Sequence, residues 1–316
     1  MAAMRGKQSS DLPTPRVSRP LLPVDPYRHR RAYIEVLSAL YHAEAAALEG
    51  FSLLEDPAYV ESSELFTRAA RRLIADETKH LQDIADLVRL IGGCDVLPPT
   101  PEMREFWTAW RSGELFALPF KPSVAALFCL FSEGLGFAFL YNLAHATSDP
   151  EVRRVLLANV EDEKMHLRLS LSILERALSD ERGFLADLAV YVAGYGLLAR
   201  KAARGQRALL EAIGLDFDVV VGSSLRFVAD LIDIVMQRSQ RATPAWKAVH
   251  RCAGWLGERP GSIRLLHWSM YLPAPPGAAR AVQAWGRKQR DRSQRATLSS
   301  ASVTPASVTP ALGASA

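Results

Sequence analysis

Two near-identical pentapeptides constrain what this chain can fold into. Asp76–His80 and Asp162–His166 both read Asp-Glu-x-x-His, and each lies within a long stretch of helical periodicity. A lone glutamate precedes each motif in another helical stretch: Glu44 lies 33 residues before the first motif glutamate, and Glu133 lies 30 residues before the second. The repetition predicts a structure of two halves that meet.

Apolar residues that recur at helical spacing predict four long helices. A pair of glycines after Ile91 predicts the end of the second helix, and Pro150 suits the first turn of the fourth. A connection over residues 94–121 separates the second helix from the third, and one long crossover in the middle of four helices is typical of ferritin-like bundles. The four helices are predicted from about Tyr27 to near Asp56, from Ser62 or Ser63 to Ile91, from just after Pro122 to at least Ala144, and from Pro150 to Ala177.

Polar residues interrupt the apolar stripe of every one of these helices. Four buried carboxylates without partners would be severely destabilising, and the stripes carry no lysine or arginine to neutralise them. Two divalent metal ions would balance four carboxylates and two neutral imidazoles. The i, i+3 spacing of glutamate and histidine places both side chains on the same side of one helical turn. The predicted metal ligands are Glu44, Glu77, His80, Glu133, Glu163 and His166.

With this ligand set, the chain resembles the ferritin-like superfamily of carboxylate-bridged di-iron proteins over about residues 30–180. The aspartate before each motif glutamate is similar to the oxygen-activating branch, which includes di-iron monooxygenases and acyl-carrier-protein desaturases. The resemblance implies that Asp76 accepts a hydrogen bond from His166 and that Asp162 accepts one from His80, which would fix the histidine tautomers. The implied fold is all-α, a four-helix bundle with one crossover, extended by C-terminal helices.

At three points the sequence differs from particular groups of this superfamily, and these differences disfavour membership of those groups. Ile84 stands where ribonucleotide reductase small subunits place a radical tyrosine, and Asn159 stands where arylamine N-oxygenases carry an extra histidine. The four-cysteine iron domain of rubrerythrins is absent from the sequence.

Several residues one turn from the lone glutamates are candidates to face a substrate. Two glycines of the third helix, Gly134 and Gly136, would either open a gap for oxygen or substrate or allow another helix to pack closely. Tyr41 is either a redox relay or an ordinary core residue. The candidate pocket residues are Tyr41, Ala47, Leu130, Gly136 and Phe137.

The resemblance implies a non-haem di-iron enzyme that uses O2 to hydroxylate, desaturate or N-oxygenate a small or carrier-bound organic substrate. The cofactor would be two iron ions in the Fe2+/Fe3+ states, although carboxylate and imidazole ligands suit manganese equally. Electrons would come from a separate reductase or ferredoxin. The alternatives are iron storage with ferroxidase activity, a peroxidase or manganese-catalase-like protein and, ranked lower, a tRNA-modifying hydroxylase.

The charge distribution and composition limit the classes of partner and the cellular location that we expect. The net charge is +4, but residues 1–31 and 280–316 each carry +5, so the body carries −6, which disfavours nucleic acid as a partner. The apolar stretch Val124–Ala146 contains Glu133 near its middle, which favours a buried helix over a membrane span. Three scattered cysteines without a Cys-x-x-Cys pair favour a reducing cytoplasm. A homodimer is compatible with these features.

Four segments follow from these patterns. Residues 1–26 form a basic, proline-rich tail that we expect to be disordered, and residues 27–180 form the di-iron bundle. Residues 181–276 supply additional helices packed on the bundle, predicted at 182–204, 206–214, 218–240 and 244–256. Residues 277–316 form a basic segment and a low-complexity tail with a repeated Ala-Ser-Val-Thr-Pro.

Overall fold

The computed structural model describes residues 12–53, 55, 64–101, 103–105, 108, 122–177 and 206–239, with isolated residues between 247 and 288. Within these ranges the regular elements are all α-helices, as the sequence predicts. The helices are α1 (Arg30–Leu53), α2 (Glu64–Gly92), α3 (Pro122–Ala146), α4 (Pro150–Ala177), α5 (Gln206–Ala212) and α6 (Phe217–Ser239).

The ends of α2 and α4 lie at residues whose types favour helix ends. α2 stops at Gly93, whose φ of 64° is costly for residues with a side chain, and the Gly93 N–H donates to the Arg89 carbonyl at 2.7 Å. α4 begins after Asp149, whose carboxylate accepts the Val152 N–H at 2.8 Å, with Pro150 in the first turn. The four predicted long helices are therefore confirmed to within a few residues.

The long helices form two antiparallel pairs. α1 packs along α2: a Cβ at Gly92 would touch Ile34, and Arg71 near the other end bonds Glu55 at 2.8 Å. α3 packs along α4 in the same way, joined by a short turn. Contacts between α2 and α4 join the two pairs, so the helices that carry the two pentapeptides face each other.

α6 covers the pair formed by α3 and α4. The rings of Phe137 and Phe227 stack with their centroids 4.8 Å apart. A Cβ at Gly134 would lie 3.2 Å from side chains of both Leu231 and Val228, so this glycine permits the close approach of α6. Of the two readings of Gly134, close helix packing is therefore the one that the structure supports.

The C-terminal helices agree with the sequence where the structure describes them. α5 and α6 match the predicted helices at 206–214 and 218–240, and α5 packs against α1 and α6. The predicted helix at 182–204 and the proposed boundary at residue 180 lie outside the described residues. Of the predicted helix at 244–256, only isolated residues are described, and these are helical.

The proline-rich segment 12–24 differs from the disordered tail that its composition predicts. Val24 is buried, its N–H donates to the Ala146 carbonyl at 2.7 Å, and its carbonyl accepts the Ser148 N–H at 2.8 Å. Arg16 pairs with Asp230 of α6 at 2.9 Å. Prolines prevent a helix here but leave the other backbone groups free to pair across the molecule. Residues 1–11 and nearly all of 277–316 lie outside the described residues.

The start of the crossover is attached to α1. His42 Nε2 lies 2.7 Å from the Leu97 carbonyl oxygen, and the Leu97 N–H donates to Ser38 Oγ at 3.0 Å. His42 thus serves a structural contact. Residues 109–121 of the crossover lie outside the described part of the chain. None of the described helices has an apolar stretch that could cross a membrane.

Candidate metal centre

The six predicted ligands converge between the two helix pairs. α1 supplies Glu44, α2 supplies Glu77 and His80, α3 supplies Glu133, and α4 supplies Glu163 and His166; all six side chains are buried. Ligand atoms within 4.8 Å of one another form two overlapping groups that share Glu77 and Glu163. The groups are Glu44, Glu77, His80 and Glu163, and Glu77, Glu133, Glu163 and His166.

His80 directs one ring nitrogen at three carboxylates. Its Nδ1 lies 3.4 Å from Glu163 Oε1, 3.6 Å from Glu77 Oε2 and 3.8 Å from Glu44 Oε2. Two of these carboxylates come from its own helix pair and one from the other. The position of His80 therefore depends on both halves of the molecule.

His166 repeats this arrangement in the second half. Its Nδ1 lies 3.2 Å from Glu163 Oε2, 3.3 Å from Glu133 Oε2 and 3.5 Å from Glu77 Oε1. The two imidazole ring centroids are 5.9 Å apart. Each of the two shared carboxylates thus offers one oxygen toward each histidine, as expected of groups that lie between two cations.

Several buried polar atoms of the cluster lack a hydrogen-bond partner among the described residues, and this bears on whether the cluster suits metal ions. Both carboxylate oxygens of Glu77, both ring nitrogens of His80 and Glu163 Oε2 are buried without a hydrogen-bond partner among the described residues. Buried polar atoms are normally bonded, so such a concentration is unusual for a folded core. Carboxylate oxygen and imidazole nitrogen are the donors that iron, manganese and zinc accept. The residues present therefore fit a site for one or two divalent cations.

The electrostatics of the cluster also favour added positive charge. Burial, followed by the charge of nearby glutamates, raises the pKa of Glu77 and of Glu163 well above the ordinary value. Burial alone would lower the pKa of His166, but Glu133 and Glu163 raise it to about 11. Without cations, protons therefore stay bound to the carboxylates and imidazoles of the cluster. Metal cations would take the place of these protons.

The aspartates before the motif glutamates lie behind the histidines, on the side away from the carboxylates. His166 Nε2 lies 3.4 Å from Asp76 Oδ2, and His80 Nε2 lies 3.6 Å from Asp162 Oδ2. The first pair is at the long end of hydrogen-bond distance, and the second is slightly beyond it. Both aspartates oppose the ring nitrogen that does not face the cluster, and the hydrogen-bonding role that the resemblance implies for them stays a prediction.

Two basic residues hold these aspartates, and sequence reasoning missed both. Arg72 Nε donates to Asp76 Oδ2 at 2.9 Å, and Lys79 Nζ donates to Asp162 Oδ2 at 2.8 Å. Partial burial would raise the pKa of Asp162, but Lys79 lowers it below its usual value. Arg72 lies four residues before Asp76, a spacing that could have identified it. The Lys79 contact joins α2 to α4, and no local spacing reveals it.

The predicted pocket residues divide into buried and partly exposed groups. Leu130 and Phe137 are completely buried, whereas Tyr41, Ala47 and Gly136 are only partly buried. A Cβ at Gly136 would meet no atom within 4 Å, so this glycine borders open space. Of the two glycines singled out in α3, only this one has room beside it.

Comparisons of the sequence with models of protein families and with curated proteins give no match. The interpretation of this site therefore rests on the chemistry and geometry of its own side chains.

Proposed function

We propose that this chain is a non-haem dimetal oxidase or oxygenase that uses O2, with two iron ions held in a ferritin-like four-helix bundle formed by α1–α4. The observation that carries the proposal is the convergence of two histidine Nδ1 atoms and four glutamates in one buried cluster, with an aspartate behind each histidine. This donor set is that of carboxylate-bridged di-iron bundles. Bound iron would supply the O2 chemistry, which the side chains alone do not perform.

Two of the four glutamates would contact both ions, and the other two would contact one ion each. Glu77 and Glu163 belong to both ligand groups and would be shared between the two ions, whereas Glu44 and Glu133 each belong to one group. Four negative charges and two neutral imidazoles balance two divalent cations. The centre would thus be close to neutral, which suits a site buried away from water.

Asp76 and Asp162 would position the histidines. An acceptor beside Nε2 favours the tautomer with a proton on that nitrogen, which leaves Nδ1 free to bind metal. Arg72 and Lys79 in turn hold the aspartates in place. The predicted substrate is a small or carrier-bound organic molecule, and the electrons would come from a separate donor protein.

The proposal can be tested on the full chain. We would prepare it without metal, load it anaerobically with Fe(II) or with Mn(II), and count the ions bound per chain. The iron-loaded protein would then be given O2, a chemical or protein electron donor and a panel of aromatic amines, acyl thioesters and apolar hydroxylation substrates. We expect two irons per chain and O2 consumption that continues over many turnovers only when donor and substrate are both present.

Other results would contradict this function in distinguishable ways. Growth of a mineral with many irons per chain would indicate iron storage, and breakdown of hydrogen peroxide by the Mn-loaded protein would indicate a catalase or peroxidase. The double variant Glu77→Gln/Glu163→Gln should lose both metal and O2 consumption. Glu161→Gln is the matched control, because Glu161 is exposed on the same helix as Glu163. If the double variant kept its metal, the site assignment itself would be wrong.

A further inference from the structure

The two halves of the metal centre differ at one buried position. One helical turn before the motif glutamate, α2 has Leu73 and α4 has Asn159, and both side chains are buried. An apolar residue in one half is thus replaced by an amide in the other. The two pentapeptides that follow are matched in the positions of aspartate, glutamate and histidine.

Asn159 lies on the face of α4 that carries the ligands. At 100° per residue, its direction around the helix is about 40° from that of Glu163 and about 20° from that of His166, and it falls between the two. It lies about 6 Å along the helix axis from Glu163. Asn159 therefore lies one turn from Glu163 on the face of α4 that also carries His166, and both of these residues belong to the ligand group that includes Glu133.

The amide of Asn159 has no hydrogen-bond partner in the described part of the protein. Its side chain is 0% exposed, and neither Oδ1 nor Nδ2 has a hydrogen-bond partner among the described residues. Buried amides are normally bonded, and leaving both atoms unpaired is destabilising. A leucine of nearly the same shape would fill the position without that penalty, as Leu73 does in α2.

A second buried asparagine offers a comparison. Asn142 of α3 is also buried and has an unpartnered Nδ2. It lies nine residues after Glu133, which places it about 13 Å along the helix and on the opposite side. Asn142 therefore shares the chemistry of Asn159 but not its position beside the ligands.

We propose that Asn159 forms a binding site for a small exogenous ligand, one whose oxygen or nitrogen lone pair accepts a hydrogen bond from Nδ2. Such a ligand is a water molecule, a small anion or the polar end of a substrate, bound on the side of the centre formed by Glu133, Glu163 and His166. The corresponding position in the first half is closed to it by Leu73. This inference rests on the proposed dimetal function and adds to it the side of the centre on which a ligand binds.

Azide is a suitable probe, because it is a small anion that accepts hydrogen bonds and changes the absorption spectrum of Fe(III) when it binds. The full chain would be loaded with iron, oxidised and titrated with azide. Asn159→Leu copies the residue of the first half, and Asn159→Ala removes the amide without adding bulk. Asn142→Leu is the matched control.

We expect both Asn159 variants to keep their iron and to bind azide about tenfold more weakly, as for a lost hydrogen bond to a charged group, with the control within about twofold of the wild type. Unchanged azide affinity in an iron-loaded, folded Asn159 variant would overturn the inference. Loss of iron from both folded Asn159 variants would also overturn it, because Asn159 would then hold the metal itself. If the wild type bound no iron, the proposed function would fail first, and this inference with it.

Discussion

Replacing one shared carboxylate should have opposite effects on the metal-free and the metal-loaded protein. Glu77 is the most informative position, because its side chain is 0% exposed and both carboxylate oxygens lack hydrogen-bond partners among the described residues. Its pKa is raised well above 4.5, first by burial and then by the charge of Glu44. In the metal-free protein this residue is therefore a source of instability, whereas in the loaded protein it would be a ligand.

The size of the effect follows from the cost of keeping such a group neutral. Each pKa unit corresponds to about 1.4 kcal/mol, so holding a carboxyl with an ordinary pKa of 4.5 protonated at pH 7 costs up to about 3 kcal/mol. Glutamine has the same shape and no charge, but its amide would still lack partners. We expect Glu77→Gln to stabilise the metal-free protein by about 1–2 kcal/mol, or roughly 2–8 °C in Tm.

The loaded protein should respond in the other direction. Loss of a ligand shared by both groups should weaken metal binding by more than about 100-fold, since even partners one step removed from a metal contribute about 10–100-fold. Metal should then raise the Tm of Glu77→Gln much less than that of the wild type. The assay is thermal unfolding with and without Fe(II), with Asp86→Asn as an exposed control on the same helix. Destabilisation of the metal-free protein by Glu77→Gln would refute the reasoning.

Three further predictions test neighbouring features. Asp76→Asn should weaken metal binding about 10–100-fold in a chelator competition, whereas Asp86→Asn, an exposed position on the same helix, should leave it unchanged; equal affinities would contradict the positioning role of Asp76. Metal loading at pH 8 should release protons, measurable by calorimetry in buffers of different ionisation enthalpy, because His166 has a pKa of about 11 without metal and must bind as neutral imidazole. In the metal-free protein, the stability that the His166 proton contributes is complete below about pH 6.5 and is lost as the pH rises toward 11. In thermal unfolding, Gly136→Ala should stabilise by up to about 1 kcal/mol because the space is open, whereas Gly134→Ala should gain less or destabilise because its Cβ would lie 3.2 Å from α6; equal effects would contradict that packing.

The helices and the buried carboxylate and histidine positions were predictable because both depend on short-range spacing. Glu77 and His80 are three residues apart, so their shared face follows from the helical repeat alone. The apolar residues around them showed that this face points inward, and their combined charge required that the two halves meet. These three features of the sequence were enough to predict that the side chains lie together, as they do in the structure.

Contacts between distant segments could not be predicted in the same way. The approach of α6 to Gly134 depends on how two separate apolar surfaces fit, and no periodicity within either helix specifies it. The segment ending at Val24 looked disordered because its prolines exclude regular structure, yet its backbone pairs with the α3–α4 turn. The sequence marked Asn159 as a departure from a related pattern, but only the structure shows that its amide has no hydrogen-bond partner among the described residues.

The attachment of Val24 to the α3–α4 turn also sets the axial register of the two helix pairs. Each pair alone aligns only its own three ligands, and sliding one pair past the other by a single helical turn would move them by about 5.4 Å. That slip exceeds the 4.8 Å within which the ligand atoms of each group lie. The Val24 backbone bonds and the 2.6 Å hydrogen bond between Tyr33 and Thr147 fasten the pairs at one end. The N-terminal segment thus opposes sliding of one helix pair along the other, and so helps to align ligand side chains that are far from it in the chain.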